Sequence, residues 1–213
     1  MSIKKFYATA DTTITNAYKE DLRMRATDSN MGLADSLEVF FIYGQIPDPQ
    51  AQAADKLEEA RILLKFDTVD LMAYYSNSFP NDVKFVLKMV NAEHPLTLPK
   101  NYSLKAYSLG ESFSEGSGLD MDSYSDEDVA SWTNRQPLTP WTTPGAKQGA
   151  DTLIGSQVFD TGIEDLEIDV TSYIEDIFNG TTDNGIVIMM DSTVTDGSQT
   201  NNYYTKKFFA RSS

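Results

Sequence analysis

The carboxylates between residues 111 and 131 are the side chains whose types and spacing could most readily do chemistry. Ca²⁺ takes about six to eight oxygen ligands in proteins, and clustered aspartates supply such ligands. An EF-hand counted from Asp120 needs glycine at its sixth position and glutamate at its twelfth, where this chain has Ser125 and Ser131. The segment is therefore not an EF-hand, and it is either a structural calcium site or a solvated, mobile acidic loop; we favour the loop. The candidate calcium ligands are Asp120, Asp122, Asp126 and Asp128.

Three aromatic side chains in or near this acidic loop could contact a glycan or a protein partner. Sugar rings stack on exposed aromatic faces, and their hydroxyl groups need acceptors such as carboxylates. Tryptophan, however, more often serves as a buried packing residue whose indole N–H finds a partner, and Trp141 stands in the stiff stretch PLTPWTTPG. We favour packing for the tryptophans and keep recognition as the alternative. The candidate contact residues are Tyr124, Trp132 and Trp141.

The sequence contains few residues or motifs that are typical of an enzyme active site. The chain has a single histidine, His94, and no cysteine, which excludes disulfides, thiolate zinc sites and a cysteine nucleophile. No serine stands in a GxSxG context, and no P-loop or GxGxxG pattern occurs. A glycosidase needs only two carboxylates, but among 32 acidic residues spacing cannot select a pair. We expect no catalytic activity, and no cofactor apart from the structural calcium considered above.

The charge of the chain argues against two classes of partner. Its 213 residues carry a net charge of −15, and the isoelectric point is near 4.3. Such a surface repels phosphate groups and anionic lipids, so we expect neither nucleic acid nor a membrane as a partner. The first residues, MSIKKFYATADTTIT, lack the apolar centre of a signal peptide, and no apolar run reaches the roughly 18 residues of a membrane helix. We expect synthesis in the cytoplasm of the host cell.

The elements that must position these side chains have a period of two, which indicates strands. With β-branched and aromatic residues filling the runs and turn residues between them, the pattern predicts a single all-β domain over 1–213, an antiparallel two-sheet sandwich of jelly-roll type. The fully apolar run 184–191 predicts a central strand. The predicted strands are 22–25, 36–44, 60–67, 82–92, 102–110, 165–171, 184–191 and 202–211. The predicted core comprises Val39, Phe41, Leu63, Phe66, Phe85, Leu87, Leu166, Ile168, Val170, Ile186 and Ile188.

Two segments depart from the strand pattern. Residues 171–180 predict one short helix, with a capping box from Ser172 to Glu175 and a stop at Gly180. Residues 46–60 are rich in Ala, Gln and Glu and predict a surface loop or mobile insertion.

The chain end, NYYTKKFFARSS, predicts a strand that closes its own sandwich rather than adding to a neighbouring subunit. A solvent-exposed edge with so many aromatic residues would invite aggregation. On this prediction Lys206 and Lys207 both mark the wetter side of the strand.

The chain contains, in this order, the stretches ADTTITNAYKED, ARILLKFD, EGSGLDMDSYSD, PWTTPG and FDTGIEDLEIDVTSYIEDI. Together they resemble the N-terminal region of large virion structural proteins of tailed bacteriophages. Their order is also similar to that of the DNRLRE-type β-sandwich, which is related to carbohydrate-binding modules. The resemblance spans almost the whole chain, although Phe113 stands where that family usually has a tryptophan.

This resemblance implies a non-catalytic component of a virion: a decoration, collar or fibre-attachment protein. Its partners would be other virion proteins, including copies of itself. The resemblance also leaves open a carbohydrate-binding module that recognises host or environmental glycans. The first function predicts aromatic side chains buried in the fold or at protein interfaces, and the second predicts a groove or platform with two or more exposed rings.

Overall fold

A computed structural model describes residues 3–44, 56–93, 98–125, 129–146, 152–191, 203–211 and 213. The prediction of an antiparallel all-β, sandwich-like fold is confirmed, with 40% strand and 9% helix. The strands are β1 Ala8–Thr15, β2 Ser36–Tyr43, β3 Leu57–Phe66, β4 Val86–Met89, β5 Tyr102–Ser108, β6 Asn134–Gln136, β7 Thr139–Pro140, β8 Leu153–Phe159, β9 Leu166–Asp169, β10 Ile186–Met190 and β11 Tyr203–Phe209. The helices are α1 Thr68–Tyr74 and α2 Thr171–Phe178.

Strand β3 organises the main sheet, because three other strands pair with it. Its residue Ala60 pairs with both Thr15 of β1 and Phe40 of β2, whereas Leu63 pairs with β1 and with Val187 of β10. Strand β1 therefore follows one edge of β3, while β2 and β10 share the other edge. The sheet branches at this point into β2–β11 on one side and β10–β5–β8 on the other.

The pair β4–β9 lies between the free ends of the two branches. Beyond β4, Ala92 N donates to Lys207 O (3.1 Å), and Phe209 N of β11 donates to Val90 O (3.0 Å). On the opposite side, Gln157 of β8 uses its side-chain amide like a peptide group: Nε2 donates to Asp165 O (2.7 Å), and Oε1 accepts from Glu167 N (2.5 Å). The strands thus surround a common interior.

Two hydrophobic clusters lie on opposite faces of β3 and β10. Ile62 and Ile188 belong to the interior cluster, whereas Leu63 and Val187 belong to a second cluster on the other face. Burial on both faces explains why 186–190 is apolar at every position. Every predicted core residue is buried except Phe66, which is half-buried and packs against the interior cluster.

Helix α2 confirms the predicted helix, and Gly180 adopts a φ of +98° beyond its end. The predicted capping box is wrong, because the N-cap residue is Val170 and no side chain caps the helix from it. Instead, Asp169 Oδ1 accepts from Thr171 N (3.0 Å), and Thr171 Oγ1 accepts from Phe85 N (3.0 Å). The helix start is thereby held against the segment that precedes β4.

The prediction of one helix missed α1, which follows β3 directly. Asp67, which we read as the end of a strand, is also the N-cap of α1, and its carboxylate accepts from Asp70 N (3.0 Å). Seven residues give too short a window for helical periodicity to stand out. Neither helix of the described ranges has the length and apolarity needed to cross a membrane.

Two other boundary predictions are corrected. Residues 22–24 form a bend, in which Leu22 has a φ of +55° and Lys19 N donates to Met24 O (2.8 Å), and Arg25 forms only an isolated bridge with Tyr18, so 22–25 is not a strand. In the predicted insertion 46–60, residues 57–60 belong to β3, and 46–55 lie outside the described residues, as does His94.

Strand β11 pairs antiparallel with β2 of the same chain, as the closure prediction requires. The placement of both lysines on the wetter side is wrong, since Lys206 is 1% exposed. Alternate residues of a strand point to opposite faces, so Lys206 shares the buried face with Phe208. Only Lys207 points outward, where it forms an ion pair with Glu38.

The alternation along β9 generates a stability prediction. Ile168 is 2% exposed within the interior cluster, so Ile168→Ala should lower the free energy of unfolding by about 2–5 kcal/mol. Glu167→Ala, on the solvent face of the same strand, should change it by less than about 0.5 kcal/mol. Urea unfolding of both variants measures the difference, and equally mild effects would contradict the assigned faces.

Candidate functional site

Asn30 holds the acidic loop to the rest of the chain. Its side chain is fully buried, and Nδ2 donates to the carbonyl oxygens of Glu115 (2.7 Å) and Ala130 (2.9 Å). Oδ1 accepts from Gly118 N (2.7 Å) and Gly32 N (3.2 Å). These four bonds use the full hydrogen-bonding capacity of an asparagine side chain, so one residue fixes both ends of the segment 115–130.

The glycines of the stretch EGSG allow this close approach. A Cβ atom on Gly118 would lie 2.0 Å from Asn30 O, and one on Gly116 would lie 2.5 Å from the Asn30 side chain. Gly116 also has a φ of +85°, which favours glycine. The glycines therefore serve backbone packing against Asn30.

The aromatic residues beside the loop cover the second face of β3. Trp132 and Trp141 are 8% and 4% exposed, and both lie in the second cluster with Phe113. The Trp141 indole Nε1 donates to Ser131 O (3.0 Å), and the Arg61 guanidinium lies 4.7 Å from the Trp132 ring centroid. Neither tryptophan presents a ring face for stacking on a sugar, so the predicted contact role loses its support at these two positions. Tyr124, 38% exposed, keeps it as a prediction.

The two described candidate calcium ligands form hydrogen bonds within the loop and its surroundings. Asp120 Oδ1 accepts from the backbone N of Asp122 (2.9 Å) and Ser123 (2.7 Å), and Asp122 Oδ1 accepts from Glu20 N (2.8 Å). Asp126 and Asp128 lie outside the described residues. Among the residues that the structure describes, no group of three or more His, Asp or Glu side chains is placed to hold a metal ion. The calcium hypothesis stays a prediction.

An ionic cluster of buried Asp11, half-buried Glu115 and exposed Arg211 joins the loop to the end of the chain, and sequence reasoning did not find it. Glu115 Oε1 accepts from Asp11 N (2.6 Å), and its Oε2 accepts from Arg211 Nη2 (2.5 Å). Arg211 N also donates to Asp11 Oδ2 (2.7 Å). Burial raises the pKa of Asp11 although Arg211 opposes the change, and the hydrogen bond to Glu115 raises the pKa of Arg211. The carboxylates thus serve tertiary contacts in this cluster.

The outward side of β2 and β11 is a candidate interaction surface, which we name the β2–β11 face. The aligned strands place Tyr203 opposite Ile42, Thr205 opposite Phe40 and Lys207 opposite Glu38. Tyr203 and Phe209 are 55% and 52% exposed, and Phe40 and Ile42 are half-buried. Large apolar side chains gathered on one surface are typical of an interaction site.

A second candidate is a groove between the N-terminal segment and α1, which we name the N-terminal groove. It has a volume of about 520 Å³. Tyr7 is 76% exposed and Tyr74 is 56% exposed, and Lys4 Nζ lies 5.2 Å from the Tyr74 ring centroid. The groove is lined by Lys4, Lys5, Phe6, Tyr7, Thr9, Asp67, Asp70 and Tyr74. The sequence does not predict this groove, because its two exposed tyrosines lie far apart in the chain and no periodic pattern connects them.

The bonds of Asn30 generate a prediction. Asn30→Ala leaves buried N–H and C=O groups without partners, each costing about 1–3 kcal/mol, so the free energy of unfolding should fall by at least about 3 kcal/mol. Asn81→Ala, at an exposed asparagine, is the matched control and should be nearly neutral. Denaturant unfolding measures both, and a mild Asn30→Ala would mean that the loop is held elsewhere.

No protein-family model and no curated protein matches the chain.

Proposed function

We propose that the chain is a non-catalytic structural component of a tailed-phage virion that assembles through protein–protein contacts. The β2–β11 face carries this proposal, because it gathers exposed and half-exposed aromatic and aliphatic side chains on the terminal strand and its neighbour. The sequence resemblance to virion structural proteins supplies the setting. A decoration, collar or fibre-attachment role is compatible with such a surface.

The composition of the β2–β11 face favours another protein surface as its partner. Apolar rings at both ends of β11 offer area for burial, and the Lys207–Glu38 ion pair between them is charge-neutral. Burial of such rings is a main source of affinity at protein interfaces. The occupant is a neighbouring virion protein or a second copy of this chain.

The arrangement of basic residues disfavours DNA as the partner. Phosphate binding needs clustered Lys and Arg side chains that are free to contact the backbone. Lys206 is buried, and Lys207 is paired with Glu38. Of the two basic pairs in the sequence, only Lys4-Lys5 is left for phosphate contacts, against a net charge of −15.

The test is attachment to particles. The double variant Tyr203→Ser and Phe209→Ser should remove co-sedimentation of the chain with intact particles while its melting temperature changes little, because both side chains are more than half exposed. The matched control is Leu153→Ser with Val158→Ser on β8, where the side chains are 50% and 59% exposed. Attachment that survives the first variant but not the control would move the interface to β8, and attachment that survives both would contradict the proposal.

A second candidate function, glycan binding, is favoured by the N-terminal groove. Its two exposed tyrosine rings and the carboxylates of Asp67 and Asp70 combine stacking surfaces with acceptors for sugar hydroxyls. In this function the chain recognises host or environmental glycans at the groove and not at the buried tryptophans.

A glycan-array screen of the purified chain, followed by titration with any bound glycan, tests this candidate. Tyr74→Ala should weaken binding by up to about tenfold, since stacked aromatic contacts are worth roughly 0.5–1.5 kcal/mol. Tyr124→Ala is the matched comparison. If glycan binding is lost with Tyr124→Ala but not with Tyr74→Ala, the recognition site lies at the acidic loop. If no glycan on the array binds the chain, this candidate function is contradicted.

A further inference from the structure

Lys206 is a lysine buried among aromatic rings and held against a side-chain amide. Its Nζ donates to Asn91 Oδ1 (2.5 Å) and to Gly162 O (2.9 Å). The rings of Phe159 and Phe208 both pack next to the amine, each with its centroid 5.2 Å from Nζ. A lysine that is 1% exposed is unusual, because burying an ammonium group costs free energy unless it is well paired. The site therefore calls for an explanation beyond packing.

The geometry brings the amine to the amide carbon. Since the carbonyl bond is about 1.23 Å long, the Nζ–Oδ1 distance of 2.5 Å puts Asn91 Cγ no more than about 3.7 Å from Nζ. Reacting atoms in near-attack geometries are about 3–3.5 Å apart. Asn91 and Phe208 form a β-bridge, and Asn91 N donates to Asp165 Oδ1 (2.8 Å). Both backbones are thus fixed, and the approach does not depend on a flexible loop.

Burial increases the neutral, nucleophilic fraction of the Lys206 amine. Burial lowers the pKa of Lys206 to about 8, although the negative charges of Glu164 and Asp165 oppose the change. Asp165 is already engaged, since its carboxylate also lies 3.3 Å from Lys88 Nζ. Glu164 also stays ionised: its Oε1 accepts from Thr161 N (2.8 Å), and although burial opposes the change, hydrogen bonds from the backbone around Thr161 lower its pKa to about 2. The Tyr102 hydroxyl is buried without a partner.

We propose that Lys206 and Asn91 form an intramolecular isopeptide bond. The lone pair of the neutral Nζ attacks Cγ of Asn91, and a tetrahedral intermediate forms. A proton moves from Nζ to the amide nitrogen, the bond between Cγ and that nitrogen breaks, and ammonia leaves. The product is a secondary amide between the two side chains, and no oxidant or reductant takes part.

The cross-link lies where the fold joins its last strand to the β4–β9 pair. It ties β11 to the segment after β4, next to the backbone bonds of Val90 and Ala92. A covalent bond at this place prevents separation of the terminal strand from the interior cluster. This inference does not depend on the proposed virion function, because it concerns chemistry within one chain.

The primary test is the intact mass of the purified, denatured wild-type chain. The expected mass is lower than the sequence mass by one ammonia molecule. Proteolysis should then give a branched peptide that joins the fragments containing Asn91 and Lys206. The full sequence mass would overturn the proposal, and so would an ammonia loss confined to one linear peptide, since a succinimide also forms with that loss.

Variants test the roles of the individual side chains. Lys206→Arg should have the full mass, whereas Lys207→Arg, its matched control, should still lose ammonia. Asn91→Asp should give the same branched peptide with loss of water in place of ammonia. A branched peptide in Lys206→Arg would overturn the role of Lys206.

Discussion

The burial of β3 and β10 on both faces is the constraint on which the rest of the structure depends. Ile62 and Ile188 face the interior, while Leu63 and Val187 face the opposite side. A sheet of this kind needs a covering layer on each face. The β2–β11 branch, β4–β9 and α2 cover one face. The long segment after β5, with Phe113, Trp132 and Trp141, covers the other.

This second cover explains the composition of the acidic segment. It has little regular secondary structure, so isolated backbone hydrogen bonds, such as that from Ala130 N to Ser114 O (2.7 Å), and individual side chains together hold it in position. Asn30 bonds to both of its ends, two glycines let the backbones approach, and Glu115 joins it to Asp11 and Arg211. The described carboxylates are thus divided between turns and tertiary contacts.

The strands and most of the core could be predicted because the alternation along β2, β4 and β9 reports one buried face directly. The role of Asn30 could not, since a single polar residue in a loop has no periodic signal. The prediction that Lys206 faces solvent was wrong because it relied on charge alone, which suggests that both lysines of the pair are exposed. Two consecutive residues of a strand point to opposite faces, so one of the two lysines has to point inward. The N-terminal groove joins Tyr7 to Tyr74, and only the tertiary fold reveals that neighbourhood.

The side-chain amide of Gln157 has a consequence for how the protein opens. A continuous backbone ladder separates only if many hydrogen bonds break together, whereas β8 and β9 are joined here through two bonds from one rotatable side chain. Rotation of that side chain releases both bonds at once and leaves the ladders of β3 untouched. We therefore expect local opening to begin at the seam between β8 and β9, while the backbone bonds to β11 hold the other side of the β4–β9 pair. Such opening would admit solvent to the interior cluster and leave the aromatic cover on the other face closed.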